Sequence, residues 1–420
     1  MSRFFLGIGF LLFSGVALGQ DLDFARQQVK KLTSPAFHGR GYVKNGDGIA
    51  SKYLVNKFKK YKLKTFGSAY FQNYEFDVNT FPGKLDVIVD NHNLVPGMDF
   101  LVDPGSADCQ GSFSLEKIDS SFLLKYSDAQ SLTRVDFANK FLLLDTVGFY
   151  KQPSGKSIAE ILIKNKLNAA GIAILTDKDL VYSVRIFQLS YCYLHIKRSS
   201  FPKDSKTIKL NIQSKFLTHK ARNIIGFLPG SVDTFVVFTA HYDHLGQMGE
   251  NAYFPGANDN ASGTSMVLDF IRDYATSKVS HKYGYAFMLF SGEEAGLLGS
   301  KYYVANPLFP LNKIKMVINL DMVGTGSGGV TVFNGSNYPN EYHKLDSLNK
   351  AKEFNLNLRS KGGARNSDHY SFHEKKVPAL FFLTEGKEVP YHSVNDKYEA
   401  LPFTDYEKLY KLIYEYMKTL

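Results

Sequence analysis

Residues 235–244 read Phe-Val-Val-Phe-Thr-Ala-His-Tyr-Asp-His. The first five form an uncharged, largely apolar run, the pattern of a strand buried on both faces. The run leads into His241, Asp243 and His244. The same construction recurs downstream. Tyr285–Phe290 leads to Ser291-Gly292-Glu293-Glu294, Ile314–Leu320 to Asp321, and Pro378–Leu383 to a loop holding His392. A further loop, Pro255–Gly263, carries Asp259 into a helix over Ser262–Ala275, where Met266, Val267, Phe270, Ile271 and Tyr274 share one side. A last helix spans Asp405–Met417. Continuous apolar strands alternating with helices predict an α/β/α sandwich with a mostly parallel mixed sheet. In such a sheet ligands bind outside the carboxyl ends of the strands, so these donors converge on one edge.

Upstream the texture changes. Residues 20–77 hold an N-terminal helical pattern, a loop over Leu32–Gly41 and a second helix over Gly48–Lys60. Residues 78–216 carry short β-like runs (Leu85–Val89, Phe141–Leu144, Gly171–Leu175, Ile208–Ile212) and one helix over Ser157–Asn168. They read as a smaller, β-rich inserted domain, with residues 217–420 completing the main one. The chain has 420 residues, 44% hydrophobic and 21% charged, which excludes disorder as its main state.

Residues 1–19 read as a secretory signal: Arg3, then the apolar run Phe4–Val16, then Ala17-Leu18-Gly19 before a cut at Gln20. The run is too short to span a membrane, and no later stretch is long and apolar enough. The mature chain is therefore expected to be exported, periplasmic or extracellular, without a membrane span. The formal charge is +10, and the densest basic stretch runs from Lys197 to Arg222. That stretch reads as a solvated face on strands. No nucleic-acid motif accompanies it, so no nucleic-acid partner is expected. Cys109 and Cys192 are too few for a disulfide framework or a thiolate metal site, and either a pair or two buried thiols fits. Gly324-Thr-Gly-Ser-Gly-Gly329 matches a dinucleotide fingerprint in letters only, because a strand-like Val330-Thr-Val-Phe333 follows where a helix is needed.

Several carboxylates gathered at one edge repel one another unless a cation neutralises them. Two histidines with carboxylates and no thiolates suit zinc or a similar divalent ion. Three carboxylates and a hydroxide balance the charge of two such ions, so a two-metal site is electrically sensible.

These residues resemble the two-zinc aminopeptidase family, which includes secreted bacterial leucyl aminopeptidases, glutamate carboxypeptidase and glutaminyl cyclase. The resemblance rests on His241-Tyr-Asp-His-Leu-Gly246, Gly256-Ala-Asn-Asp-Asn-Ala-Ser-Gly263, Phe290-Ser-Gly-Glu-Glu-Ala-Gly-Leu-Leu-Gly-Ser300, Asn319-Leu-Asp-Met-Val-Gly324, Ser367-Asp-His369 and Tyr391-His392-Ser393. It covers residues 221–420 well. Leu32–Arg40 resembles the family's N-terminal entry. Lys140–Leu144 with Asn168–Leu175 resembles a protease-associated domain, more weakly.

The resemblance implies a zinc exopeptidase-like fold and two Zn²⁺ ions. His241 and Asp321 would hold one ion, Glu294 and His392 the other, and Asp259 would bridge them, followed by a cis peptide to Asn260. Asp243 would accept the second ring N–H of His241. Glu293 would be the general base. Some relatives place an oxyanion tyrosine shortly before the Ser-Asp-His element. Here that region reads Gly362-Gly-Ala-Arg-Asn366, and Tyr391 is the candidate instead. His244, His369 and His373 are expected not to be ligands, although Asp368 and His369 would line the site.

The activity implied is removal of N-terminal residues from peptides with a free N-terminus. Glutaminyl cyclisation, carboxypeptidase action on acidic peptides and a non-catalytic receptor role are the alternatives on this fold. All five ligand positions and the base are filled, which favours the aminopeptidase.

Overall fold

The computed structural model describes residues 21–126, 128–132, 134–145, 147, 149, 155–277 and 279–420. The expected signal segment, residues 1–19, lies outside the described residues.

Two sheets organise the molecule. The long strand β1 (Phe71–Thr80) pairs antiparallel with β10 (Lys215–Leu228), Phe71 against Ile224 and Thr80 against Lys215. Then follow β11 (Val232–His241), β12 (Gln247–Met248), β13 (Ala252–Tyr253), β14 (Tyr283–Phe290), β15 (Ile314–Leu320), β16 (Gly329–Phe333), β17 (Leu358–Ser360) and β18 (Ala379–Glu385). The main sheet has the order β1-β10-β14-β11-β15-β18-β16-β17, and β12 and β13 form a small separate ribbon. Its central run β14-β11-β15-β18 is parallel. The flanking pairs β1·β10, β10·β14 and β16·β18 are antiparallel, while β16·β17 is parallel. The sheet is thus mixed, with the expected parallel core.

Helices cover both faces because the parallel strands are apolar on both. One face packs on α1 (Leu22–Leu32), α2 (Gly46–Lys60), α6 (Gly263–Thr276), α8 (Pro339–Ala351) and α10 (Tyr406–Met417), through residues such as Val29, Leu54, Phe270, Leu345 and Ile413. The other face packs on α7 (Leu298–Ala305) and α9 (His369–Glu374), through Tyr303, Val304 and Phe372. Along β11, Val236 and Phe238 point to the first face and Val237 to the second. This is the period-two alternation of a strand sandwiched between helices. Asp21 caps α1 by accepting from the Phe24 amide at 3.0 Å, an interaction worth about 1 kcal/mol.

Between Thr80 and Lys215 the chain builds the second sheet. Its strands are β2 (Leu85–Val89), β3 (His92–Asn93), β4 (Phe100–Val102), β5 (Cys109–Ile118), β6 (Lys140–Asp145), β7 (Gly171–Thr176), β8 (Cys192–Lys197) and β9 (Thr207–Ile212), in the order β3-β2-β9-β5-β6-β7-β8-β4. Among the described residues three α-helices accompany it: α3 (Ser120–Lys125), α4 (Ala129–Leu132) and α5 (Gly155–Ile163). The last replaces the longer helix expected over residues 157–168. After Ile163 the chain turns at Asn165 and Asn168, both at positive φ, before β7. The Asn165 side chain accepts from and donates to the Ala169 backbone, an alternative to helix that asparagine offers readily. One face of the second sheet shares a core with the main body, where Val87, Leu210 and Leu194 cluster with Tyr42, Leu245, Met248 and Phe254. Cys109 and Cys192 are both buried free thiols.

The loop 32–41 contains a short helical turn, Pro35–Arg40, with His38, Gly39 and Arg40 at positive φ. Gly39 has to be glycine on steric grounds too: a Cβ there would lie 2.4 Å from the Gly246 carbonyl oxygen. The close approach seats this loop against the strand end that carries the histidines.

Candidate metal centre

Four strand ends and one helix start deliver the donors to one edge. His241 is the last residue of β11, Glu293 and Glu294 follow β14, and Asp321 follows β15. Asp259 lies in the turn before α6, at a cis peptide bond to Asn260. His392 sits beyond β18 at φ 50°. All are buried or nearly so, with His241 at 1% and His392 at 8% exposure.

The distances divide the cluster into halves joined by Asp259. His241 Nε2 lies 3.2 Å from Asp259 Oδ1 and 3.3 Å from Asp321 Oδ1. His392 Nε2 lies 3.0 Å from Asp259 Oδ2 and 3.2 Å from Glu294 Oε2. Each oxygen of one carboxylate therefore faces a different imidazole. The other ring nitrogens are tied back: His241 Nδ1 donates to the Asp243 carbonyl at 3.1 Å and His392 Nδ1 to the Tyr182 carbonyl at 2.9 Å. A carbonyl only accepts, so both Nδ1 atoms carry the hydrogen and both Nε2 atoms are free to bind a cation. Asp243 does stand behind His241, but through its backbone; its carboxylate oxygen is 3.7 Å away. The carboxylate instead accepts from Tyr42 Oη at 2.7 Å, which turns it aside.

The electrostatics are those of a place built for positive charge. Burial raises the Glu293 carboxyl pKa, and Asp321, Glu294 and Asp368 raise it further, well above the usual range. Burial also raises Asp321. Against the opposing effect of burial, Glu294 and Asp259 raise His392 to about 11. Against burial again, Asp321 and Glu293 hold His241 well above its ordinary value. Leaving several carboxylates buried costs several kcal/mol per charge unless cations compensate them. Donor atoms of His241, Asp259 and Glu294 lie within 4.8 Å of one another, as do those of His241, Glu293 and Asp321. Nitrogen and oxygen donors without thiolate fit zinc or a similar divalent ion.

Residues 223–417 match the model described as peptidase family M28. The match covers a little under half of the chain. The chain is 32% identical over 206 residues to the aminopeptidase YwaD of Bacillus subtilis, covering 46% of this chain and 43% of the relative. It is 30% identical over 190 residues to a probable leucine aminopeptidase of Arthroderma otae, covering 43% and 50%. The matches thus span about half of these relatives. In fold the similarity is wider. A zinc aminopeptidase structure from Bacillus subtilis superposes with a TM-score of 0.68 at 22% identity, covering 95% of each chain. A glutaminyl cyclase from Bacteroides thetaiotaomicron gives 0.53 at 13% identity, covering 96% and 99%.

Around these donors the structure adds residues that the sequence did not assign. His244 Nδ1 donates to Glu294 Oε1 at 2.6 Å, leaving Oε2 for the cluster. Ser367 Oγ donates to Asp321 Oδ2 at 2.7 Å, leaving Oδ1. Asp396 accepts from the Asn258 and Asp259 amides at 2.8 and 3.1 Å and so fixes the turn carrying Asp259. Arg40, fully buried, donates to the carbonyls of Tyr242, Leu32, Pro255 and Gly256. It stitches the His241 strand end to the Asp259 turn, and burial lowers its pKa to about 10. Asp396, like the others, meets its partners across the fold, 138 and 137 positions away.

Two cavities flank Glu293. The smaller, about 180 Å³, lies over His241, Asp259 and Asp321 and has Met322, Phe381 and Leu383 in its walls. The larger, about 530 Å³, adjoins Glu294 and His392. Tyr391 lines both, half-exposed, with its ring stacked on His392 at 3.7 Å. Asp368 and His369 are buried beside this region, and burial raises the Asp368 carboxyl to about 7.

Proposed function

We propose that the chain is an exported aminopeptidase that binds two zinc ions and removes N-terminal residues from peptides with a free N-terminus. The observation that carries this reading is Asp259, whose two oxygens face His241 and His392 separately at 3.2 and 3.0 Å. His241, Asp321 and Asp259 would hold one ion, and Glu294, His392 and Asp259 the other. When bound there, zinc supplies Lewis-acid polarisation of a carbonyl and lowers the pKa of water.

The chain's own groups supply the rest. Glu293 lies between the two cavities, so a scissile bond crossing from one to the other passes its carboxylate. Glu293 would take a proton from water and return it to the leaving amine. Tyr391, in the wall both cavities share, would donate its hydroxyl hydrogen to the developing oxyanion. Met322, Phe381 and Leu383 make the small cavity suitable for one apolar first side chain. The segment between β7 and β8 of the second sheet, read as an insert, would limit access to the larger cavity, since Ile186 contributes to its wall.

Export rests on the composition of residues 1–19. Among the described residues no helix is long and apolar enough to cross a membrane.

A mixed peptide set, half N-acetylated, tests the reading by mass spectrometry with and without a chelator. Chelator-sensitive loss of single residues from free N-termini alone is expected. Trimming at C-termini, or ammonia loss from N-terminal glutamine, would overturn it in favour of a carboxypeptidase or a cyclase. Glu293→Gln is expected to lower kcat by at least about a thousandfold while keeping the zinc content, a loss on the scale of removing a central catalytic group. Retained activity would remove Glu293 as the base.

A further inference from the structure

The larger cavity carries two cations that the chemistry above does not use. Lys301 on α7 and Arg365 in the loop before Ser367 both line it, and neither lines the smaller cavity. Lys301 Nζ donates to the Gly296 carbonyl at 2.6 Å, which holds its head at the rim. Among the described residues neither side chain forms an ion pair. The two are close enough to act on one another: burial lowers the Lys301 pKa, Arg365 lowers it further, and Glu374 offsets part of this. Like charges held together without a carboxylate partner favour an anion between them. The nearby acids Glu293 and Glu294 belong to the metal centre and are not available to them.

Position decides what the anion is attached to. The small cavity has room for about one side chain and sits over His241, Asp259 and Asp321. The released part of a peptide must then leave through the larger one, past Glu293. We infer that Lys301 and Arg365 bind a carboxylate on the released part of the substrate, close behind the scissile bond, so that the protein prefers short peptides with an anionic group there. The shared chemistry is a carboxylate; its two sources are the free C-terminus of a dipeptide or tripeptide and an acidic second side chain. This inference rests on the aminopeptidase reading.

The test compares Leu-Gly, Leu-Gly-amide and Leu-Asp-amide. Binding is measured by calorimetry to the zinc-loaded Glu293→Gln protein, which separates recognition from turnover. The Kd for Leu-Gly is expected to be about tenfold lower than for Leu-Gly-amide, the size of one or two partly exposed charge-assisted contacts. The difference should shrink as salt is added. Adding Arg365→Gln and Lys301→Gln is expected to bring the ratio to about one; both are surface changes, and the melting temperature checks the fold. Tight binding of Leu-Asp-amide as well assigns the wall to acidic side chains, whereas tight binding of Leu-Gly alone assigns it to the chain terminus. Equal Kd for acid and amide, a ratio that survives the two substitutions, or no binding of any peptide overturns the inference. If the wild-type protein cleaves none of the three although the preference in binding is present, the aminopeptidase reading fails and the carboxylate wall stands.

Discussion

Asp321 and Glu294 each have one oxygen occupied by a neighbour and one left for the cluster. Ser367 occupies Asp321 and His244 occupies Glu294. Because these supports act on opposite halves, they would separate the two proposed ions experimentally. Ser367→Ala is expected to weaken one ion about ten- to hundredfold and His244→Ala the other, as loss of a ligand's supporting hydrogen bond commonly does. Chelator competition should then show release in two phases, with a different phase accelerated in each variant; a single phase shared by both would contradict the division. At this scale the sequence was legible where donors stand at strand ends. His241, Asp259, Glu294, Asp321 and His392 all meet, because an apolar strand followed by a donor has only one edge at which to deliver it. His244 and Ser367 were not legible as supports, since their partners lie 50 and 46 residues away.

Elements show a different balance. The strands β11, β14, β15 and β18 are recognisable from continuous apolar runs, and β15 has its expected bounds. Strand direction at the sheet's flanks was not legible, because it depends on which crossover the chain takes rather than on the strand's composition. The helix α6 packs its buried face on the sheet, yet that face contains Asp269 beside Arg272, 2.9 Å apart. Burial raises the Asp269 pKa to about 8, with Arg272 opposing and Asp273 adding. The folded value lies above the ordinary 3.8, so the folded chain binds this proton more tightly. The associated stability is full below a pH of about 4 and is lost as the pH rises through about 8. Asp269→Asn should therefore gain stability relative to the parent as the pH goes from 5 to 8 in urea denaturation. A difference that is flat with pH would place the proton elsewhere.

For the whole molecule, the division into a main body and a second sheet was visible as a change from long apolar runs to short β-like ones. Its consequence for the site was not. The strap linking β7 to β8 leaves the second sheet, and Tyr182 stacks on Phe254 of the main body at 4.7 Å. There the backbone of Tyr182 and His392 exchange two hydrogen bonds: Tyr182 N–H to the His392 carbonyl at 3.1 Å, and His392 Nδ1 to the Tyr182 carbonyl at 2.9 Å. No sequence pattern announces a bond between residues 210 positions apart.

With an ion held as proposed above, that exchange makes the strap a latch on one of its ligands. A strap that swung open would have to let go of His392, so admitting a long chain and keeping the ion are competing demands on one pair of bonds. Strapped and loaded, the protein should resist digestion at Ile186-Phe187, two side chains that stand in solvent at 47% and 50% exposure. Stripped by chelator, it should be nicked there by chymotrypsin several times faster, and equal rates would mean that the latch and the metal are indifferent to each other. A protein built this way guards its contents with the same hand that holds them.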